Sequence, residues 1–473
     1  MPVIGFLIMQ RTVTSETPKK VGETVTVAGW VQTRRDHGKI VFFDLRDRGG
    51  LLQVVLTPQA EAAYTAALAV RPEWVVQISG MVQERPEKLK NPDLPTGSVE
   101  LVAQELVVLT RAATLPMPID TDGYEVGEDV RLKYRYLDLR RARLQRNLKT
   151  RHKGIQFIRN FLTERGFVEI ETPMLSKSTP EGARDYVIPS RLYAGKFYAL
   201  PQSPQQYKQL LQVAGFERYF QIVRCFRDED PRADRQPEFT QLDIEMSFVE
   251  QEDVLALIEE LYTELVQKLF PEKHIQQSPF PRIPYKEAME KWGTDKPDLR
   301  ENKEDPNELA FAFIVDFPAF EWKEQENRWD AVHHPFTRPQ ASSIEEIKQD
   351  IAGARAHQYD LALNGYEVAG GSLRIYDPKL LTDIFEFMGN NPRDVKEKFG
   401  HMLEAFEYGV PPHGGIASGL DRLFAVLLGE ASIREVMAFP KTGDARDLMM
   451  QAPSEISKEQ LQELHLRVEK KDT

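Results

Sequence analysis

Hydrophobic and polar residues alternate in five short runs near the start of the chain. The runs are rich in Val, Ile and Phe, with Gly and Asp at the breaks, and read ETVTVAGWV, IVFFDLR, LLQVVL, WVVQISGMVQ and SVELVAQELVVL. Such runs are typical of β-strands. The alanine-rich stretch PQAEAAYTAALAV, between the third and fourth runs, predicts a helix. This order indicates an OB-fold barrel over residues 1–112, although another small barrel or sandwich would show a similar pattern.

The rest of the chain mixes helical and strand-like patterns. The Pro- and Asp-rich stretch LPMPIDTDG predicts a linker, placed at residues 113–138. The run RLKYRYLDLRRARLQRNLKTRHKGIQFIRNFLTERG predicts one long basic helix that ends at Gly166. Apolar residues at helical spacing predict the buried face of another helix, at Val254, Ile258, Leu261 and Leu265. These elements indicate a second, α+β domain over residues 139–473.

Composition narrows the class of protein. The chain has 473 residues, 41% of them hydrophobic and 28% charged, as in a globular protein of two or three domains. A single cysteine, Cys225, excludes an internal disulfide framework and fits a reducing compartment. No apolar run is long enough for a membrane span, and the opening MPVIGFLIM is too short for a leader. We therefore expect a cytoplasmic protein without membrane contact, in which MPVIGFLIM is an extension ahead of Met9.

Charge gives two further indications. The net charge of −12 argues against an overall nucleic-acid-binding surface. The local stretch RRDHGKIVFFDLRDR nevertheless carries five Lys/Arg against three Asp, and therefore predicts a basic footprint on the barrel.

Three stretches carry candidate chemistry. The segment FRDEDPRADRQPEFTQLDIEM packs three arginines among four carboxylates, namely Arg227, Arg232, Arg235, Asp228, Glu229, Asp230 and Asp234. An arginine in such a loop can bind a phosphate or carboxylate through two parallel donors. Arg422 follows the glycines of GGIASGLDR, and Asp360 and Glu367 are hard ligands of the kind that suit Mg²⁺ held jointly with phosphates. Taken singly, each stretch is also compatible with a solvated loop or a surface ion pair.

Together these stretches resemble one family. GFVEIETPML, the FRDED loop and GGIASGLDR are similar to motifs one, two and three of class II aminoacyl-tRNA synthetases. TPEGARDY, QSPQQYKQLL, HHPFT and GYEVAGGSLRI resemble signature stretches of the aspartyl-tRNA synthetases of the bacterial type, and the likeness covers nearly the whole chain. The resemblance implies a catalytic domain built on an antiparallel sheet flanked by helices. It also implies a homodimer formed through motif one, because such motifs pack across a two-fold axis.

The resemblance further implies an aspartate–tRNA ligase that uses ATP and Mg²⁺. In that reaction Arg227 contacts the α-phosphate, Arg422 the γ-phosphate, and Glu229 approaches the adenine. Further ATP contacts are implied for Arg235, Gln236, Glu367 and Gly419, and metal contacts for Asp360 and Glu367. Contacts to the substrate aspartate are implied for Glu181, Ser203, Gln205, Lys208, Gln241, Asp243, Arg374, His333 and His334. Contacts to the tRNA anticodon are implied for Arg35, His37, Phe42 and Gln53.

The alternation in EFTQLDIEM places Gln241, Asp243 and Glu245 on one face of a strand, where they would form the floor of the amino-acid pocket. The resemblance implies that Lys208 and Arg374 hold the substrate's side-chain carboxylate. Such a pair of cations rejects neutral asparagine, because the cations would be left unpaired. A structural role is the alternative for the two histidines of HHPFT.

The sequence departs from the family at one place. Bacterial members carry a large inserted domain after a DKPDLR segment, whereas here WGTDKPDLR runs through ENKEDPNELA into the strand-like FAFIVDF, so residues 290–310 mark a missing insertion.

Two other functions remain as alternatives. An enzyme similar to asparagine synthetase would lack the barrel, and an inactive paralogue would be expected to lose the phosphate arginines or the acidic ligands.

His37 bears on the choice of tRNA. The anticodons for aspartate and asparagine differ only in cytosine against uracil at the third base. An imidazole can donate or accept a hydrogen bond and so tolerates either pyrimidine. By resemblance, histidine here is typical of relaxed enzymes and leucine of strict ones. We therefore hypothesise an enzyme that also loads tRNA(Asn), with an amidotransferase partner. The nearby Lys88 and Lys90 do not align clearly with either group.

Overall fold

The computed structural model describes residues 11–178, 182–229 and 235–469. The chain divides into two compact units, which meet in the sequence at Thr121 and Asp122. This division falls inside the stretch 113–138 that the sequence predicts as a linker.

The first unit is a closed barrel in the strand order β1-β2-β3-β5-β4. Its elements are β1 (Thr24–His37), β2 (Ile40–Asp47), β3 (Gly50–Leu56), α1 (Glu61–Ala67), β4 (Val75–Glu84) and β5 (Val99–Thr110). Alternate side chains of each strand fill the barrel, so that Phe43 and Leu45 are fully buried while Phe42 and Asp44 face outward. The five predicted strands, the helix after the third strand and the OB-fold are confirmed.

The second unit contains the remaining elements. Its first half comprises α2 (Glu128–Lys133), α3 (Arg135–Asp138), α4 (Ala142–Glu164), β6 (Val168–Glu169), β7 (Val187–Pro189), β8 (Phe197–Ala199), α5 (Gln205–Val213), β9 (Arg218–Phe226), β10 (Glu238–Ser247), α6 (Gln251–Leu269), β11 (His274–Ile275), β12 (Arg282–Pro284) and α7 (Tyr285–Trp292). Its second half comprises β13 (Glu308–Leu309), β14 (Phe311–Val315), β15 (Phe320–Lys323), β16 (Arg328–Ala331), α8 (Ile344–Gln349), β17 (Gln358–Leu363), β18 (Tyr366–Leu373), α9 (Pro378–Phe387), α10 (Pro392–Glu407), β19 (His413–Gly419), α11 (Leu420–Leu428) and α12 (Lys458–Glu463).

An eight-stranded sheet organises this unit, in the order β12-β14-β17-β18-β19-β10-β9-β6. The six central strands pair antiparallel, as predicted, whereas the outer pairs β12–β14 and β6–β9 are parallel. Helices α4, α6 and α11 cover one face and share its apolar core. The predicted core face of α6 is confirmed by residues that are fully buried, namely Val254, Ile258, Leu261 and Leu265. In the part of the chain that the structure describes, no helix combines the length and apolar character that a membrane crossing needs.

The predicted single basic helix before Gly166 is wrong, because this stretch forms three helices, α2, α3 and α4. Tyr134, between the first two, has a non-helical backbone (φ −109°, ψ 38°). The bends bring Arg135 and Arg141 to either oxygen of the buried Asp138, each at 2.7 Å. Arg135 also donates to the carbonyl oxygens of Arg434 and Met437. The basic pattern therefore comes from a buried ion-pair network as well as from a solvated face.

The loop 293–307 lies where the insertion is missing. Gly293 ends α7 in the left-handed conformation (φ 68°), which glycine adopts without strain. The Glu308 carboxylate then accepts bonds from the backbone N–H groups of Glu301 and Asn302, at 2.8 and 2.9 Å. The chain thus passes directly from α7 to β13 and β14 through a loop whose backbone bonds Glu308, His274 and Gln276.

Candidate active site

Strand β10 separates the core from the candidate site. Leu242, Ile244 and Met246 point into the apolar core beneath the sheet. The intervening residues, Gln241, Asp243 and Glu245, are buried on the opposite face, as the alternation of the sequence predicts. Helix α5 covers this face and places Lys208 above it.

A cluster of four buried charges occupies this face. The Lys208 Nζ lies 2.8 Å from Asp243 Oδ1 and 3.2 Å from Glu245 Oε2. Arg374, at the end of β18, approaches Glu245 Oε1 with its Nε at 2.9 Å. Burial alone would raise the pKa of Glu245, but Arg374 and Lys208 lower it to about 2. For Asp243, burial outweighs Lys208 and raises the pKa.

Lys208 and Arg374, the two cations of this cluster, have more hydrogen-bond donors than the described residues use. Lys208 has three N–H donors, of which Asp243 and Glu245 use two. Arg374 has five donors, and four of them bond Glu245 (two), Ser372 and His334. Among the described residues, one N–H of each cation therefore has no partner. Both cations therefore bond one carboxylate, that of Glu245, and each has one donor that it leaves unused.

The two histidines of HHPFT differ in position. His334 Nε2 lies 3.0 Å from Arg374 Nη1 and must accept this bond, because a guanidinium only donates. Burial and the charge of Arg374 put the pKa of His334 well below its ordinary value, so the ring is neutral and carries its proton on Nδ1, beside Thr337. His333 packs edge-on against Phe317, and burial lowers its pKa to about 4. The structure thus brings His334, but not His333, into contact with the charged cluster.

A cavity of about 190 Å³ is lined by Gln241, which shares its face of β10 with Asp243 and Glu245, whereas none of the four charged residues of the cluster lines it. Its other walls include residues predicted to bind ATP, namely Arg227, Glu229, Arg235, Gln236, Glu367, Gly419 and Arg422. The Arg227 guanidinium lies 5.2 Å from the ring centre of Phe239, and its Nε has no hydrogen-bond partner in the described part of the chain. Arg422 Nη1 donates to the Glu367 carbonyl oxygen at 2.5 Å. Two arginines thus border one cavity from different elements.

Two polar residues in the cavity wall already have partners. Glu229 Oε2 lies 3.3 Å from Arg235 Nη1. The Gln236 amide bonds both main-chain atoms of Lys441, since its Nε2 donates to the carbonyl oxygen and its Oε1 accepts from the N–H. Gln236 therefore holds the segment that carries Lys441 against the cavity wall. The contact of Gln236 to ATP stays a prediction. Arg232, Asp230 and Asp234 lie outside the described residues.

Asp360 and Glu367 meet across β17 and β18. A Cβ at Gly370 would lie 2.8 Å from Asp360 Oδ1 and 3.7 Å from Glu367 Oε1, so the absence of a side chain there leaves room for both carboxylates. Burial, and then the charge of Glu367, raise the pKa of Asp360 well above its ordinary value. Among the described residues no lysine or arginine bonds either carboxylate. Two facing carboxylates without a counter-charge fit a hard divalent cation, which binds through one or two carboxylates together with phosphates.

Two predicted aspartate contacts, Gln205 and Ser203, do not bond the charged cluster directly. The Gln205 amide donates to Gln209, whose own amide contacts His413. Ser203 accepts a bond from the Gln205 N–H and lines a separate cavity of about 220 Å³ along α5. Glu181 lies outside the described residues. The roles of Ser203, Gln205 and Glu181 therefore stay predictions.

The four predicted anticodon residues lie on the first unit. Arg35 is opposite Phe42 in the β1–β2 ladder and bonds Asp44 at 2.8 Å. Gln53 bonds Glu100 and Arg85 through the two ends of its amide. Arg35 and Gln53 line a common cavity of about 240 Å³, whereas His37 is exposed at the end of β1. Phe42 is half-buried on the outer face of β2.

Some residues of these surfaces were not predicted from the sequence. Phe239 supports Arg227, and it could have been found because it lies two residues before Gln241 and therefore shares its face. Arg85 lines the cavity of Arg35 and Gln53, but it follows β4, and no regular spacing in the sequence connects it with Gln53. Only the closed barrel brings these two residues together.

Two family models match the chain. The model described as tRNA synthetases class II (D, K and N) matches residues 127–443, and that of the OB-fold nucleic acid binding domain matches residues 25–109. The chain therefore belongs to the class II tRNA synthetases, in the branch for aspartate, lysine and asparagine.

Within this branch, the chain is similar to the aspartate–tRNA(Asp/Asn) ligases of Dehalococcoides mccartyi and Rubrobacter xylanophilus. The first is 41% identical, with 96% of this chain and 98% of the relative covered, and the second is 43% identical, with 94% of each covered. The first alignment extends over 587 positions, more than the 473 residues of this chain. The relatives thus carry residues that this chain lacks, in agreement with a missing insertion.

Solved structures agree on the fold. The asparaginyl-tRNA synthetase from Pyrococcus horikoshii complexed with asparaginyl-adenylate superimposes with a TM-score of 0.74 at 23% identity, covering 92% of this chain and 98% of that one. The aspartyl-tRNA synthetase from Entamoeba histolytica gives 0.71 at 25% identity, covering 93% and 94%. Both likenesses support the same two-part architecture.

Proposed function

We propose that the protein activates L-aspartate with ATP and transfers it to the 3′-terminal adenosine of tRNA(Asp) and of tRNA(Asn). The observation that carries this proposal is the pair Lys208 and Arg374. Both cations bond Glu245, and each keeps one N–H for a further carboxylate. Homology to the aspartate–tRNA(Asp/Asn) ligases supports the same substrate.

In the first step, the α-carboxylate oxygen of aspartate attacks the α-phosphorus of ATP. The bond to the β-phosphate oxygen breaks, and pyrophosphate leaves with its electron pair. Negative charge grows on the phosphate oxygens, and preorganised cations lower the barrier by meeting it. Arg227 borders the cavity from the end of β9 and Arg422 from α11, and we assign them to the α- and γ-phosphates respectively. Glu229 and Arg235 act at the nucleotide end of the same cavity.

Asp360 and Glu367 hold Mg²⁺ in this proposal. When bound there, the cation would neutralise part of the phosphate charge. The carboxylates themselves are already aligned by β17 and β18, and Gln358 donates to Asp360 at 2.9 Å. These residues therefore provide an anchored acidic pair rather than a group that must move into place.

In the second step, a ribose hydroxyl of the terminal adenosine attacks the aspartyl carbonyl carbon, and AMP leaves. The OB-fold unit selects the tRNA. Phe42 stacks on an anticodon base, which is worth about 1–3 kcal/mol per base. Arg35 and Gln53 bond base edges from the cavity that they share. His37 accepts both cytosine and uracil at the third anticodon base.

Three further features belong to this proposal. The protein works in the cytoplasm as a homodimer formed through the segment 166–175. An amidotransferase converts the aspartate loaded on tRNA(Asn) into asparagine. Light scattering that finds a monomer at micromolar concentration would contradict the dimer.

The test is an ATP–pyrophosphate exchange assay with aspartate, asparagine and no amino acid, followed by charging of purified tRNA(Asp) and tRNA(Asn). We expect exchange with aspartate alone and charging of both tRNAs. Exchange without tRNA charging would indicate an adenylating enzyme of another kind, and no exchange would indicate an inactive paralogue.

A further inference from the structure

Asp421 is a buried carboxylate next to Arg422 in the first turn of α11. It is 3% exposed, and both of its oxygens are engaged. Oδ2 accepts the backbone N–H of Thr240 at 2.7 Å, and Oδ1 is bonded by Arg151 Nη1. One carboxylate thus connects three elements, namely α11, β10 and α4.

The bond to Thr240 continues the sheet where strand pairing stops. The last residue of β19 that pairs with β10 is Gly419, opposite Gln241. The chain then turns into α11, so β19 has no further carbonyl oxygen to offer the next N–H of β10. A buried N–H without a partner is costly, and the Asp421 carboxylate supplies the acceptor. This contact therefore fixes the start of α11 against β10.

The two elements that Asp421 joins lie next to the two arginines of the cavity. Arg422 follows Asp421 in α11, whereas Arg227 follows β9 and reaches β10 only through Phe239. Phe239 is the neighbour of Thr240, and its ring centre lies 5.2 Å from the guanidinium of Arg227. The contact between Asp421 and Thr240 therefore links the segment of Arg422 to the ring that supports Arg227, without using either arginine side chain.

Arg151 anchors this contact from α4. Its Nη1 also donates to the Val436 carbonyl oxygen at 3.2 Å. Val436 ends a short 3-10 helix (Ile433–Val436), and Ile433 is part of the cavity wall. The charge of Arg151 thus compensates that of the buried Asp421. The same side chain also connects the 3-10 helix that contributes Ile433 to the cavity wall with Asp421.

We infer that Asp421 is a positioning residue that sets the spacing of Arg227 and Arg422, with Arg151 as its partner. This inference rests on the proposed function for the identity of the ligand, a nucleoside triphosphate. Asp421 acts through the two arginines: when its charge is lost, they no longer hold the phosphates at the separation that the transition state needs.

The test compares Asp421→Asn with Glu259→Gln, a matched control. Glu259 on α6 also accepts a backbone N–H, from Phe280 at 2.9 Å, and an arginine, Arg282 Nη1 at 2.5 Å, but it lies at the β12 edge of the sheet. Both variants remove one carboxylate charge with the same two kinds of partner, although the Glu259 side chain is 14% exposed and that of Asp421 is 4% exposed. Thermal unfolding of each variant measures the structural cost, and calorimetry measures ATP affinity without any amino acid present.

We expect Asp421→Asn to lower ATP affinity and the kcat of pyrophosphate exchange about tenfold each, with the KM for aspartate within about twofold of the wild type. Glu259→Gln should lose similar stability, while its ATP affinity and its exchange kinetics should equal those of the wild type. Arg151→Gln should reproduce the Asp421→Asn effect, and the double variant should be no worse than either single variant, because both changes break one contact.

The inference would be overturned if Asp421→Asn and Glu259→Gln, compared at the same folded fraction, had equal ATP affinities and equal rates of pyrophosphate exchange. Full additivity of the Asp421 and Arg151 variants would also overturn it. The proposed function fails separately: a wild-type protein that binds ATP but shows no exchange with aspartate refutes the amino-acid assignment, while the ATP affinities of the variants still decide the role of Asp421.

Discussion

Lys208 and Arg374 approach the two oxygens of one carboxylate, that of Glu245, at 3.2 and 2.9 Å. Two buried cations this close would repel each other and lose hydration without such an anion between them. Glu245 therefore stabilises two buried cations that share one carboxylate. Asp243 completes the arrangement by bonding Lys208 at 2.8 Å.

We predict that Lys208→Ala and Arg374→Ala raise the KM for aspartate far more than the KM for ATP. Each removes a charge-assisted hydrogen bond, worth about 1.5–3 kcal/mol, which corresponds to roughly 10- to 100-fold in binding. Initial-rate exchange kinetics with each substrate varied in turn measure the two constants. An equal rise in both would place these residues elsewhere in the reaction.

Arg227→Ala and Arg422→Ala should abolish adenylate formation while the fold is retained. Both side chains border the cavity of about 190 Å³ that we propose as the ATP site, and removing preorganised charge of this kind costs about 3–4 kcal/mol of transition-state stabilisation. Arg224→Ala is the matched control, because Arg224 on β9 forms a partly exposed ion pair with Glu238 on β10. Near-normal exchange in either cavity variant would show that the active site is misplaced.

The Asp138 network should contribute to stability in a pH-dependent way. Burial would raise the pKa of Asp138, but Arg131, Arg141 and Arg135 lower it below its ordinary value. Because the folded pKa is depressed, the stabilisation is present above the unfolded pKa of about 3.9 and is lost as the pH falls through the lower folded value.

Asp138→Asn should therefore destabilise the protein by about 3–5 kcal/mol at neutral pH, since it leaves buried arginines uncompensated. Its stability should also fall less steeply on acidification than that of the wild type. Urea unfolding at several pH values measures both effects. Parallel acid profiles for the two proteins would contradict the assignment of this pKa.

His37→Leu should reduce charging of tRNA(Asn) and leave charging of tRNA(Asp) nearly unchanged. An apolar side chain cannot adapt its hydrogen bonding to a second pyrimidine, so discrimination should rise by about 1–3 kcal/mol, or roughly 10- to 100-fold. Charging of both purified tRNAs by wild type and variant measures this ratio. The hypothesis would be contradicted if the wild-type protein charged tRNA(Asn) with an efficiency hundreds of times below that for tRNA(Asp).

Local patterns in the sequence predicted much of this structure. The five barrel strands follow from alternation, and the polar face of β10 follows from period two in EFTQLDIEM. These predictions succeeded because each depends on residues that are neighbours along one element. The roles of Arg227, Arg422 and Lys208 came from resemblance to a family, since spacing alone gives no reason to connect positions so far apart.

Long-range pairing explains what the sequence could not predict. The helix before Gly166 breaks because Asp138 gathers Arg135 and Arg141, and Arg135 also bonds a segment some 300 residues later. Helical periodicity contains no information about that partner. The parallel outer strands and the neighbourhood of Gln53 and Arg85 also depend on the closed sheets, which only tertiary structure defines.

The position of loop 293–307 has an evolutionary consequence. Its backbone bonds Glu308, His274 and Gln276, which lie outside the eight-stranded sheet, so a change in its length need not disturb that sheet. Such a position tolerates the gain or loss of a whole domain, because neither event leaves a broken core behind. Members of the family with and without the insertion can therefore share one catalytic framework, and this loop is where a foreign domain could be grafted onto the protein.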